Sequence, residues 1–190
     1  MRTRREDHTA ATAGAIARAA RRQFAKKGFE AASLQEIARE ARVTTGAIYH
    51  HFADKKALFL AVAEQIEAEL LAKAAKAPSR DPWLSLREGF PALIGECARP
   101  DVQQIIFLDA PRVIGQEAWR EIELKYAYGG MARTIERLTT AGVMRPYPAE
   151  LIAPTLLAVL AEAARAVAQG SARLEQASEL LVGVLDSLRA

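Results

Sequence analysis

Residues 33–55, SLQEIAREARVTTGAIYHHFADK, spell two short helices, a tight turn and the start of a third helix. Ser33 followed three residues later by Glu36 is a capping box, so the first helix begins at Leu34. Leu34, Ile37, Ala38 and Ala41 share one face at helical spacing. Ala41-Arg42-Val43 makes the turn, with Val43 as its inward plug. The Thr44 hydroxyl is placed to accept an orphan N–H of the second helix. That helix has Ala47, Ile48 and Phe52 for its inner side and Thr45, Gly46, Tyr49, His50 and His51 for its outer side. Asp54 caps a third helix that starts at Lys55.

The outer face of the second helix is unlike an ordinary solvated face, which uses Glu, Lys and Gln. Hydroxyls, imidazoles and a glycine suit phosphate oxygens and the base edges of a major groove. Two helices joined by a short turn, the second presenting such a face, fit a helix-turn-helix with the second helix as reader. The adjacent His50 and His51 point about 100° apart on a helix and have no third ligand at useful spacing, so no metal site is expected.

The ordered combination of Phe24, Gly28-Phe29, residues 33–38 (SLQEIA), residues 43–52 (VTTGAIYHHF) and Lys55-Lys56-Ala57-Leu58 resembles the DNA-binding domain of the TetR family of bacterial transcriptional regulators, over about the first 60 residues. The resemblance implies DNA contacts from Ser33, Gln35, Thr44, Thr45, Gly46, Tyr49, His50, His51 and Lys55. Tyr49, His51 and Lys55 match the family pattern best and are expected on phosphates. Thr45, Gly46 and His50 are the expected base readers, with Gln35 reaching a base edge from the preceding helix.

Outward from this stretch, residues 9–27 form a first helix with Ala13, Ile16, Ala17, Ala20 and Phe24 on one stripe. Gly28 is its expected left-handed end, and Phe29 folds back onto the small core. Residues 1–8 read as an arm whose Arg2, Arg4 and Arg5 either reach DNA or are merely solvated. Residues 1–55 hold 11 Lys and Arg against 6 Asp and Glu, a net +5 in a chain whose total is only +3. The basic excess therefore sits where phosphate must be neutralised.

The chain has 190 residues, 51% hydrophobic and 26% charged, which is ordinary for a soluble globular protein. Cys97 is the only cysteine, so no internal disulfide forms and a buried thiol is expected. No apolar window long enough to span a membrane and no signal peptide are read, making the cytoplasm the expected location. No nucleophile–base pair, carboxylate pair or metal set points to an enzyme, and no cofactor is called for.

The expected architecture is all-α: a three-helix helix-turn-helix DNA-binding domain over residues 1–54 and a larger helical domain over 55–190. Residues 55–76 are a connecting helix that ends at Ala77-Pro78-Ser79-Arg80. Asp81-Pro82 opens the next helix, with Pro91 as a kink. A short helix over 102–108 is expected to be interrupted by Asp109-Ala110-Pro111, and a long helix over 119–140 to have a weak point at Gly129-Gly130. Two helices over about 150–169 and 173–189 pack as a hairpin.

Those last helices carry more apolar surface than one hairpin hides. A homodimer is expected through Leu160, Val167, Leu181, Val184, Leu185 and Leu188. The family resemblance further implies a small-molecule effector pocket, for which the candidates are Phe90, Leu93, Ile94, Phe107, Asp109, Val113, Trp119, Tyr126, Met131 and Leu156. Asp109 has two readings: a cap or Arg112 partner, or a counter-ion for a flat cationic effector beside Trp119 and Tyr126. The function that follows is a repressor of an inverted-repeat operator, released by a small apolar or amphipathic effector, cationic ones included. The alternative is a constitutive or architectural DNA-binding protein without a ligand.

Overall fold

The computed structural model describes the backbone of residues 4–74, 76 and 79–190 and the side chains of residues 9–74, 76, 79–115 and 117–190. The side chains of Arg2, Arg4 and Arg5 and residues 77 and 78 of the expected boundary at 77–80 lie outside them. Among the described residues the fold is all-α, with one isolated antiparallel bridge between Met144 and Arg189.

Helix α1 (Arg4–Ala31) is followed by α2 (Leu34–Ala41), α3 (Thr45–His51) and α4 (Lys55–Ala74). The body continues with α5 (Pro82–Cys97), α6 (Pro100–Val102), a first π-helical segment (Gln103–Asp109), α7 (Ala110–Ile114) and α8 (Gln116–Glu123). A second π-helical segment (Leu124–Tyr128), α9 (Gly129–Thr140), α10 (Ala149–Ala168) and α11 (Leu174–Ser187) complete it.

Two apolar cores organise the chain. The first joins α1–α4 to α6, the first π segment, α7 and α8 through Phe24, Ile37, Ile48, Phe59, Val62, Ile105 and Trp119. Phe24, Phe29 and Phe59 form an aromatic trio with centroids 5.1–5.9 Å apart. The second core gathers α5, α9, α10 and α11 around Phe90, Ile94, Ile135, Leu156, Leu181 and Leu185. Leu70 of α4 and Phe107 of the first π segment, both partly buried, touch both cores.

Three expectations change. Asp109-Ala110-Pro111 does not interrupt the helix. Pro111 has no N–H to donate to a carbonyl four residues back, and the chain widens into π geometry just before it, with Ala110 N–H reaching Ile105 C=O. The weak point at Gly129 is likewise a π segment rather than a break. A Cβ on Gly129 would stand 2.5 Å from the Leu124 carbonyl oxygen, so only glycine admits this wide turn. Finally, α10 is long and apolar enough to cross a membrane by length and composition, contrary to the reading of the sequence. Its inner side packs against α5, α9 and α11, as a core helix does.

Candidate nucleic-acid interface

The reading head is built by caps. Ser33, in extended conformation, accepts the Glu36 N–H at 3.2 Å and donates its own proton to the Glu36 carboxylate. Such a cap stabilises a helix by about 1 kcal/mol. Arg42 closes α2 in the left-handed region at φ 58°, freeing Val43 N–H to reach Ala38 C=O at 2.9 Å. Thr44 Oγ1 accepts the Ala47 N–H at 3.1 Å, which leaves its hydroxyl proton free to donate. Asp54 Oδ1 accepts Ala57 N–H at 2.7 Å, as its place before α4 demands.

On α3 only Ile48 is fully buried, seated in the first core. Thr44, Gly46, Tyr49 and His50 are exposed, and Tyr49 keeps 55% of its surface. Thr45 and His51 are half-buried at the edge of this face, and Gln35 of α2 is exposed beside it. The His50 and His51 rings meet edge to face at 5.3 Å, a packing contact rather than a shared ligand position. Among the described residues no three His, Cys, Asp or Glu side chains gather where a metal could sit.

Lys55 has another job than the one read for it. Its ammonium donates to the carbonyls of Phe29, Glu30 and Ala32 at 2.9–3.2 Å and lies 4.4 Å from the centre of the Phe29 ring. All three N–H donors are directed at the end of α1, so the charge anchors the first helix to the fourth.

Head and body are also joined. Gly28, at φ 73°, turns the backbone so that Phe29 N–H points at Asp109 Oδ2, 2.8 Å away. Gln104 donates to the same oxygen at 3.1 Å. Arg21 bridges Glu69 of α4 and Asp101 of α6, and Lys56 donates to Ile114 C=O. Arg21 and Arg99 together hold the Asp101 carboxyl below its ordinary range against the opposing effect of burial.

These contacts overturn both readings of Asp109. Its side chain makes no cap on α7 and no bond to Arg112, and it faces the head instead of a pocket. The remaining pocket candidates divide between the two cores. Trp119, Val113 and Tyr126 belong to the first core, whereas Phe90, Leu93, Ile94, Met131 and Leu156 belong to the second; Phe107 touches both. A small crevice of about 140 Å³ instead lies among Arg21, Ile66, Glu69, Leu70, Lys73, Glu96, Arg99 and Val102. Three of the dimer candidates are corrected: Leu181 and Leu185 are fully buried within one chain and Leu160 nearly so, while Val167, Val184 and Leu188 are half-buried. The apolar residues left outside are Leu151 of α10 and Leu174 and Leu180 of α11.

Sequence reading missed Glu67, only 6% exposed on the inner side of α4. Its position was legible: Phe59, Ala63 and Glu67 recur at i, i+4 and i+8, the spacing of one helical face.

Residues 83–188 match the family described as the tetracyclin repressor-like C-terminal domain, and residues 16–62 match the bacterial regulatory proteins of the tetR family. Over 151 residues the chain is 26% identical to the transposon Tn10 TetC protein of Escherichia coli, covering 77% of this chain and 75% of that one. It is 33% identical to the transcriptional repressor BepR of Brucella suis, over 71% of this chain and 61% of BepR. The match to the repressor Rv1474c of Mycobacterium tuberculosis, 35% identical, takes in 43% of this chain and half of that repressor. A TetR-family transcriptional regulator from Pectobacterium atrosepticum aligns in structure over all of this chain and 98% of its own, with a TM-score of 0.76 and 31% identity. The chain belongs to the TetR family of bacterial transcriptional regulators, a DNA-binding regulator and not an enzyme.

Proposed function

We propose that the chain is a homodimeric repressor of an inverted-repeat operator, released by a small apolar or amphipathic effector. The observation that carries the DNA half is α3: a capped helix with one buried anchor, Ile48, and an outer face of Thr44, Gly46, Tyr49 and His50. A helix so held presents a rigid face to a major groove. Gln35, Ser33, Thr45 and His51 flank it. Residues 1–54 are the reading unit and 55–190 the body that holds two copies at groove spacing.

The dimer half is supported by the outer side of α10 and α11. Leu151 and Leu180 are 58% and 62% exposed, and Thr155, Ala158 and Gly183 are open beside them in sequence register. Two such hairpins from two copies make a four-helix bundle. The effector half is supported by the way α4 touches both cores and both π segments. A ligand that parts those elements moves the helix which carries the reading head. A hundredfold loss of operator affinity needs about 2.7 kcal/mol of coupling.

The test uses duplexes from the DNA upstream of the chain's own coding region. A dimer bound to an inverted repeat, with affinity that falls steeply with salt, supports the reading. Equal affinity for every duplex refutes sequence-specific repression. Specific binding that no ligand panel alters leaves the constitutive reading.

A further inference from the structure

Arg42 stands in a conformation that arginine rarely takes. Its φ of 58° and ψ of 41° are left-handed, and among the described residues every other positive φ belongs to a glycine. The left-handed region brings a Cβ too close to the following carbonyl, a cost that glycine escapes. The turn itself asks only for backbone. Arg42 N–H closes α2 on the carbonyls of Ala38 and Arg39, as a glycine there would. The side chain returns nothing to the fold: it is exposed, and among the described residues it makes no hydrogen bond or ion pair. Such an outlier is a pointer to function.

The surroundings of Arg42 limit what its charge can meet. Helix α2 has three sides. Ile37 and Ala38 are buried in the first core. Glu36 and Glu40 lean on α1, where Lys27 holds the one and Arg22 and Gln23 hold the other. The third side carries exposed Gln35 and Arg39, four residues apart, and leads to Arg42 three residues on. Arg39 reaches Glu36 only at 3.9 Å, and that carboxylate oxygen already lies 2.7 Å from the Lys27 ammonium. Both acids of α2 are thus neutralised away from the open side, which keeps cations alone. Two residues beyond Arg42, exposed Thr44 has its hydroxyl proton free to donate.

We propose that Arg42 grips a phosphate of the DNA backbone, carrying the interface from the outer face of α3 onto the turn between α2 and α3. In a helix-turn-helix the helix before the reader crosses the backbone, so a cation at its end, beside the start of the reader, lies along the phosphates. The guanidinium is a planar fork that matches two phosphate oxygens. A phosphate contact fixes position and carries no base information, so Arg42 adds affinity for any sequence. The free protein carries the strain of the left-handed arginine, and the contact outweighs it in the complex. The proposal needs only that the chain bind duplex DNA, and it stands apart from the dimer and effector readings.

The experiment sets stability against DNA affinity in Arg42→Gly, using the full chain. Relief of the left-handed arginine should raise the melting temperature by roughly 2–4 °C, whereas a residue that merely supported the turn would lower it. Loss of the charged fork should weaken binding roughly tenfold, equally on a mixed-sequence duplex and on the duplex upstream of the coding region. The slope of log affinity against log salt should fall by about one. Arg42→Lys keeps the charge and should keep the slope. Arg137→Ala removes a charge from the exposed side of α9, in the body, and should change neither affinity nor slope. Wild-type affinity and slope in Arg42→Gly overturn the proposal. So does a melting temperature at or below that of the wild type. A loss confined to the upstream duplex marks a base contact instead, and an equal loss in Arg137→Ala marks a response to net charge; either result also overturns it.

Discussion

Asp109 Oδ2 accepts the backbone N–H of Phe29 at 2.8 Å, joining the kinked end of α1 to the end of the first π segment across eighty residues of sequence. Gln104 braces the same oxygen at 3.1 Å. Charge-assisted bonds of this kind are about twice as strong as neutral ones. Asp109→Ala should therefore cost about 1.5–3 kcal/mol of stability. It should also loosen the coupling between effector and operator, while Asp109→Asn, which keeps an acceptor, should cost less. Thermal unfolding and operator titration with and without effector check both. A selective loss of cation affinity in Asp109→Asn, with stability intact, would contradict this geometry.

Lys55→Met removes the ammonium that ties α4 to three carbonyls at the end of α1. A loss of about 1–3 kcal/mol is expected in denaturant unfolding, because the part-buried carbonyls of Phe29 and Ala32 lose this donor. The slope of operator affinity against salt should stay close to that of the wild type, since the charge faces the protein. A slope reduced by about one, with unchanged stability, would put Lys55 on a phosphate instead.

Tyr49 is 55% exposed on the reading helix and supports no core residue. Tyr49→Ala should leave the unfolding curve in place and weaken operator and non-operator DNA alike by about 1 kcal/mol, the worth of one phosphate hydrogen bond. Binding isotherms on both duplexes at two salt concentrations decide it.

Leu151→Glu with Leu180→Glu places charges on the open side of α10 and α11, where both residues are more than half exposed. Monomers of near-normal stability and poor operator affinity are expected by sedimentation. Leu181→Glu should instead unfold the body, because Leu181 is fully buried in a single chain and an unpaired buried charge has no partner there.

Glu67 also makes a pH prediction. Its carboxyl is raised from 4.5 to about 7, so the folded state binds a proton that the unfolded state has already lost. The favourable contribution is fully present below pH 4.5, is lost as pH rises to about 7, and is flat above. Glu67→Gln should thus match the wild type near pH 4.5 and be the more stable protein at pH 8. Equal stability at pH 8 would show that the carboxyl is solvated in solution.

The reading head was legible in the sequence because its signals are local. Ser33, Thr44, Asp54 and the stripe from Leu34 to Ala41 act over three or four residues, and each landed within a residue of its expected place. The outer face of α3 followed from the same spacing, since a short helix with one anchor leaves little freedom in what it shows. The pairings of Asp109 with Phe29, of Lys55 with the end of α1 and of Arg21 with Asp101 join residues 23 to 80 positions apart. No local pattern specifies such partners. The π segments illustrate the same limit: Pro111 and Gly129 announced a disturbance, but packing on α4 accompanied a widened helix rather than a broken one. The side chains of α10 and α11 likewise divided between core and open surface only when α5 and α9 covered one side of the hairpin. An apolar stripe states that a face seeks cover; which neighbour covers it is decided by the long-range packing of the whole chain.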